Sequence, residues 1–257
     1  MSRSGRWGMR LHQWLSFRGA MMRLSRAEAV FWPGCALMNL DGAVLERTRE
    51  VLERAEPGIG LSTCCCGQPS ACLFPEEARA RREKLRRLLA RRGVKRIYAA
   101  CPNCMQELRA LGGAEVFSIW PVLERHLSPE ELPRRPGRYI WHDPCPTRGD
   151  REQQEAVRAL LARSGCDCCQ PEHTGEQTRC CGNYRMLHTR EPEKSARIRA
   201  RRLEELPADR VILSSCEGCL GAFRGEGRKG RHLLELLFGE SRRRSWGNRI
   251  KTTLNAR

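Results

Sequence analysis

One cysteine spacing occurs twice in this chain, and it limits the possible folds more than any other feature. Residues 29–127 carry Phe31-Trp32-Pro33-Gly34-Cys35, then Cys65-Cys66-Gly67, then Cys101-Pro102-Asn103-Cys104. Residues 138–238 carry Trp141-His142-Asp143-Pro144-Cys145, then Cys180-Cys181-Gly182, then Cys216-Glu217-Gly218-Cys219. Cys66 to Cys101, Cys181 to Cys216 and Cys145 to Cys180 each span 35 positions, and Cys35 to Cys65 spans 30. A repeated order of this kind marks two copies of one structural unit. Aligning Gly67 with Gly182 places Cys65 and Cys66 opposite Cys180 and Cys181, which leaves Cys64 as an extra, small buried residue.

The 257 residues are enough for two units of roughly 100 to 130 residues, each with its own core. The cysteine count is 15, an odd number, with no secretory leader and no apolar run of the ~18 residues a membrane span requires. Neighbouring cysteines such as Cys65-Cys66 and Cys180-Cys181 have Cα atoms about 3.8 Å apart, short of the ~4.4 Å that disulfides usually require. The sequence therefore reads as thiols kept reduced for use as ligands, in a cytoplasmic setting.

Short apolar runs at 29–32, 96–100, 138–141 and 210–213 read as buried strands. Segments 41–56, 75–92, 150–163 and 192–206 show apolar residues at helical spacing. Each copy continues through a strand-like or turn segment into an apolar helix, 121–127 and 233–238. The fold class is α/β: two tandem pseudo-symmetric repeats, each a small, mostly parallel sheet flanked by helices. Cys35, Cys101, Cys145 and Cys216 each follow a strand-like run, and open parallel sheets collect ligands at the carboxyl ends of their strands.

Five thiolates per unit is a more specific signal than a lone Cys-x-x-Cys. Structural zinc closes its shell with four ligands, and a cubane iron–sulfur cluster also takes four. Five, with two on adjacent residues, suit a polynuclear cluster with a bridging thiolate or an added iron site. Zinc is the alternative, because soft thiolate sets suit both metals.

Paired Cys, Cys-Cys-Gly and Cys-x-x-Cys sets resemble the cysteine-rich CCG domains of the heterodisulfide reductase B-like family. Relatives of that domain occur in lactate-utilisation, glycolate and glycerol-3-phosphate oxidation proteins. The resemblance implies two non-cubane [4Fe-4S] clusters, one held by Cys35, Cys65, Cys66, Cys101 and Cys104, the other by Cys145, Cys180, Cys181, Cys216 and Cys219. It also implies that the clusters face a shared pocket in which a disulfide is split and released as two thiols. It divides the chain into a basic N-terminal extension (1–28), a first CCG repeat (29–132), a second (133–239) and a basic C-terminal tail (240–257). The expected function is an oxidoreductase acting on a sulfur group. The alternatives are an electron-transfer subunit of a dehydrogenase complex and a zinc-stabilised scaffold. No nucleotide-binding glycine fingerprint is present, so a redox partner carrying flavin or ferredoxin-like clusters is expected alongside a small thiol or disulfide substrate.

Among the remaining residues, His142 is a candidate proton donor to a departing thiolate, and Asp143 is a second. The alternative for both is capping of the strand end. Asn103 and Glu217, inside the Cys-x-x-Cys loops, are candidates for tuning a cluster through hydrogen bonds or are ordinary loop residues. Cys166, Cys168 and Cys169, a compact Cys-x-Cys-Cys group outside the repeat pattern, read as packing or incidental thiols, with a thiol relay, an adventitious metal site or a substitute ligand as the alternatives, and Cys72 has the same packing reading. The first 28 residues read as an overcalled start, near Met21 and Met22, or as a short amphipathic anchor. The net charge is +17. With only 15 aromatic residues and no nucleic-acid motif, it points to an acidic protein, a lipid surface or an anionic substrate rather than to nucleic acid. The tail, with Trp246 among arginines, reads as a peripheral contact with the inner face of a membrane or as a disordered basic segment.

Overall fold

The computed structural model describes residues 3–132, 136–241 and 244–256. Two compact units divide it, one made of residues 1–119 and 241–257, the other of residues 120–240.

The first unit runs α1 (Arg3–Ser16), β1 (Ala29–Trp32), α2 (Gly42–Ala55), β2 (Gly60–Leu61), α3 (Gln68–Leu73), α4 (Pro75–Arg92), β3 (Arg96–Ala99), α5 (Pro102–Leu111) and β4 (Glu115–Ser118). Helix α6 (Ile119–His126) opens the second unit. There follow β5 (Arg138–Trp141), α7 (Arg151–Arg163), β6 (Asp167–Cys169), α8 (Leu187–Arg190), α9 (Pro192–Leu203), β7 (Val211–Ser214), α10 (Glu217–Arg224), β8 (Gly230–His232) and α11 (Leu233–Phe238). The chain then returns to the first unit as α12 (Trp246–Asn255).

Each unit holds one four-stranded sheet, ordered β2-β1-β3-β4 and β6-β5-β7-β8, and every strand pairing is parallel. Strand β1, Ala-Val-Phe-Trp, is buried along its whole length, as a central strand with both faces covered must be. Local signals set the helix ends. Asp41 caps α2 and Asp150 caps α7, each accepting a backbone N–H through its side chain. Helix α4 opens on Pro75-Glu76-Glu77 and closes on Arg91-Arg92 before Gly93 at φ +71°, which matches both the helix dipole and the left-handed cap.

The strand order reverses direction between β1 and β3, and again between β5 and β7. At such a switch point adjacent loops leave in opposite directions and open a crevice at the carboxyl ends. Cys35 and Cys101 follow β1 and β3, and Cys145 and Cys216 follow β5 and β7.

Two expectations about the chain ends change. The segment expected as an N-terminal extension forms α1, and the chain here buries Gln13, Ser16 and Phe17 in the first unit. The segment expected as a basic tail forms α12, which buries Arg249 and Thr253 there. Arg249 bonds His12 Nε2 at 3.0 Å and Ser16 Oγ at 3.1 Å, so the two chain ends are tied together. The expected boundary at 132/133 adjoins residues 133–135, outside the described residues, as are 242, 243 and 257 of the tail.

Candidate metal centres

Five thiols converge in each unit, and neighbouring thiols interact in the same order. In the first unit Cys35 meets Cys65, Cys65 meets Cys66, Cys66 meets Cys104 and Cys104 meets Cys101. In the second, Cys145 meets Cys180 (Sγ–Sγ 3.6 Å), Cys180 meets Cys181, Cys181 meets Cys219 and Cys219 meets Cys216. Cys65, Cys66, Cys104, Cys181, Cys216 and Cys219 are buried, and the other four are half-buried.

The backbone adapts to the sulfurs at the same place in both copies. Gly67 and Gly182 adopt φ +90° and +83°, a region that favours glycine. Their N–H groups then donate to Cys65 Sγ at 3.4 Å and Cys180 Sγ at 3.3 Å. Gly34, at φ +86°, has no Cβ where one would lie 3.1 Å from Cys104 Sγ. The residue after each Cys-Cys-Gly ties that loop to the Cys-x-x-Cys turn. Gln68 Nε2 donates to Asn103 Oδ1 at 3.0 Å, and Asn183 Nδ2 donates to Gly218 O at 3.3 Å.

The sulfurs share charge unevenly. The Cys35 thiol, then Cys66 and the Gly67 N–H, hold Cys65 well below the ordinary thiol range. Cys180 is held down in the same way, first by Cys145, then by Cys181. Cys35 is pushed up by its contact with Cys65 and by burial, and Cys104 by Cys101 and Cys66. A second thiolate beside the first is disfavoured in a low-dielectric site. A fully deprotonated set therefore needs cationic charge among the sulfurs, which a bound metal centre supplies.

Two buried N–H groups strengthen this fit. Trp32 and His142 each stand three residues before the first cysteine of their copy, and Trp32 Nε1 and His142 Nε2 are both buried without a hydrogen-bond partner. Arg202 Nε donates to His142 Nδ1 at 3.1 Å, so in the neutral ring the proton sits on Nε2. His142 offers a ring nitrogen within 4.8 Å of the sulfurs of Cys181 and Cys219, and Trp32 lies in the buried cluster that contains Cys65, Cys66 and Cys104. A buried donor left unpaired costs about 1–3 kcal/mol. Sulfurs of a bound group would be acceptors for both.

Burial, then the Arg202 charge, hold His142 down to about 3. Its neutral form is favoured, so the ring serves as a hydrogen-bond donor and not as the imidazolium proton source expected from the sequence. Asp143 accepts from Trp141 Nε1 at 2.7 Å, Gly175 N at 2.8 Å, Thr174 Oγ1 at 2.7 Å and Arg158 Nη2 at 2.8 Å. Burial alone would raise its carboxyl, but these bonds outweigh burial and keep it ionised. Asp143 therefore ties the strand end to the loop. Glu217 pairs with Arg224 at 2.5 Å.

Cys64 stays outside the set of five: its thiol points to Arg23 O at 3.6 Å, and burial pushes it up to about 12. Cys72 lies in α3. Cys168 and Cys169 form most of edge strand β6, with Cys169 Sγ directed to Tyr139 O at 3.6 Å.

Sequence reasoning missed Gln13. Its Nε2 lies 3.6 Å from Cys65 Sγ, and its Oε1 accepts from Ser70 Oγ at 2.7 Å. A glutamine on the inner face of an amphipathic helix was the available signal.

The arrangement defines a class, duplicated parallel α/β units that present five thiols at each switch point. The model of the CCG cysteine-rich domain matches residues 29–109 and 139–224. This chain belongs to that family, and its clustered cysteines suit metal or iron–sulfur binding. No curated protein sequence matches it.

Proposed function

We propose that the chain is an iron–sulfur redox protein that reduces a disulfide, or oxidises the corresponding thiols, with one cluster in each unit. The observation that carries this reading is the identical contact order of five thiols in both copies. Zinc would leave one thiol per unit unused. Cys35, Cys65, Cys66, Cys101 and Cys104 would hold one cluster of the non-cubane [4Fe-4S] kind, and Cys145, Cys180, Cys181, Cys216 and Cys219 the other.

When bound, such clusters supply reversible one-electron chemistry at sulfur-ligated iron. The chain's own residues do the rest. Gly67 and Gly182 hold one thiolate of each set by its N–H bond. Trp32 Nε1–H and His142 Nε2–H, unpaired in the protein alone, would donate to sulfur of a bound cluster. Gln13 and Phe17 cover the first site from α1 and the turn after it. Splitting one disulfide into two thiols consumes two electrons and two protons, and the electrons come from a partner with flavin or ferredoxin-like clusters.

The test is anaerobic purification with counts of iron, sulfide and zinc, followed by paramagnetic resonance with and without thiols under mild oxidation. About eight irons per chain and a thiol-dependent signal are expected. Iron without a thiol response would make the protein an electron-transfer subunit, and zinc without iron would overturn the redox reading.

A further inference from the structure

The positive charge is not spread evenly. Residues 1–27 and 241–257 each contain six Lys or Arg and no acidic residue, and together they carry twelve of the seventeen net positive charges. Helices α1 and α12, joined through Arg249, lie within these segments and carry five of the twelve, Arg3, Arg6, Arg10, Arg249 and Lys251.

Both helices also leave apolar side chains in solvent. Among the described residues eight large apolar side chains are exposed, and six lie here: Trp7, Leu11 and Trp14 on α1, Trp246, Ile250 and Leu254 on α12. Their spacing of three to four residues sets them in one stripe along each helix. Trp7 is 68% and Leu254 60% exposed, although each helix also buries residues, Gln13 and Ser16 on α1 and Arg249 and Thr253 on α12.

We infer that α1 and α12 form a docking face for a bilayer containing anionic phospholipid. Short amphipathic helices with indole rings on one face and arginines beside them lie in the plane of a membrane interface. Arg18 stacks on Trp14 with its guanidinium carbon 3.7 Å from the ring centroid, which keeps its charge beside the apolar stripe, where a headgroup phosphate would meet it. The absence of acidic residues from both segments matches a surface of negative charge. Because the inner face of α1 carries Gln13, next to Cys65, docking would bring the first thiol cluster close to the lipid. The inference holds whichever metal the thiols bind.

The test uses the full metal-loaded chain and co-flotation with vesicles of phosphatidylcholine alone or mixed with phosphatidylglycerol. Binding at least about tenfold stronger to the anionic vesicles, weakening with salt and accompanied by a blue shift of tryptophan emission, is expected. Two triple variants, Trp7→Ser/Leu11→Ser/Trp14→Ser and Trp246→Ser/Ile250→Ser/Leu254→Ser, should each lose most of that binding while retaining metal content and far-ultraviolet dichroism. If one triple variant fails to fold, the other decides. Absence of binding to anionic vesicles at low salt, or undiminished binding by a folded triple variant, would overturn the proposal. So would capture of an acidic protein by this face without vesicle binding.

Discussion

The two Cys-Cys-Gly glycines provide a quantitative test, because the sequence makes them equivalent and the structure does not. An alanine held at positive φ costs about 1–2 kcal/mol, offset by roughly 0.4–1 kcal/mol from the stiffer unfolded chain. At Gly67 the added methyl would meet only Phe17 Cζ at 3.6 Å, an ordinary contact. At Gly182 it would lie 2.4 Å from the carbonyl oxygen of Ser195, with Arg199 Cβ at 3.2 Å and its backbone N at 3.3 Å. Helix α9 cannot yield freely, because Ser195 Oγ donates to Gly182 O at 2.7 Å. Overpacking against backbone adds about 1–3 kcal/mol. We therefore expect Gly67→Ala to lose about 1 kcal/mol and Gly182→Ala about 3 kcal/mol. Amide exchange of the metal-free protein, followed in β1 for one unit and in β5 for the other, reads the two losses separately. Equal losses, or a larger one at Gly67, would refute the argument from local packing.

Further outcomes follow from the same geometry. In the iron-loaded protein Trp32→Phe removes one N–H donor to sulfur, and a bond stronger by about 1 kcal/mol in the reduced state shifts the midpoint potential down by ~40 mV, measurable by redox titration; an unchanged potential would mean that no such bond forms. In the metal-free protein His142 binds its proton only far below the ordinary histidine range. The unfolded chain therefore takes up that proton first, and stability should fall by a few kcal/mol as the pH drops from about 6.5 towards 3. His142→Phe should flatten this profile in acid-denaturation curves. Arg249→Ala should cost about 3 kcal/mol through a lost buried side chain and its bonds, and α12 should become a fast site of limited proteolysis.

Much of the architecture was legible because each signal was local. Ala29–Trp32 and Arg138–Trp141 are apolar runs long enough to register as strands, and Pro75–Arg92 carries its own start and stop. Edge strand β2, only Gly60–Leu61, is too short to show periodicity. Edge strand β6 was hidden because Cys168 and Cys169 read as thiols and not as β-formers. The spacing singled out the ten cysteines that gather five to a unit. Their contact order was not legible, because it depends on where Gly67 and Gly182 turn. Nor could spacing reveal that Gln13 reaches Cys65 across 52 positions, or that His142 is clamped by Arg202 from 60 positions away. Such contacts exist only after the sheet has closed.

The division of the chain also has a temporal consequence. The first unit is closed by α12, so it needs residues from both ends of the polypeptide, whereas the second is continuous from 120 to 240. At roughly 5–20 residues per second, synthesis keeps the first unit without its last helix for many seconds while the second is completed. During that interval no Arg249 is available to fasten His12 and Ser16. Premature termination just after the second unit would leave one thiol nest finished and the other with a covering helix that has lost its clasp.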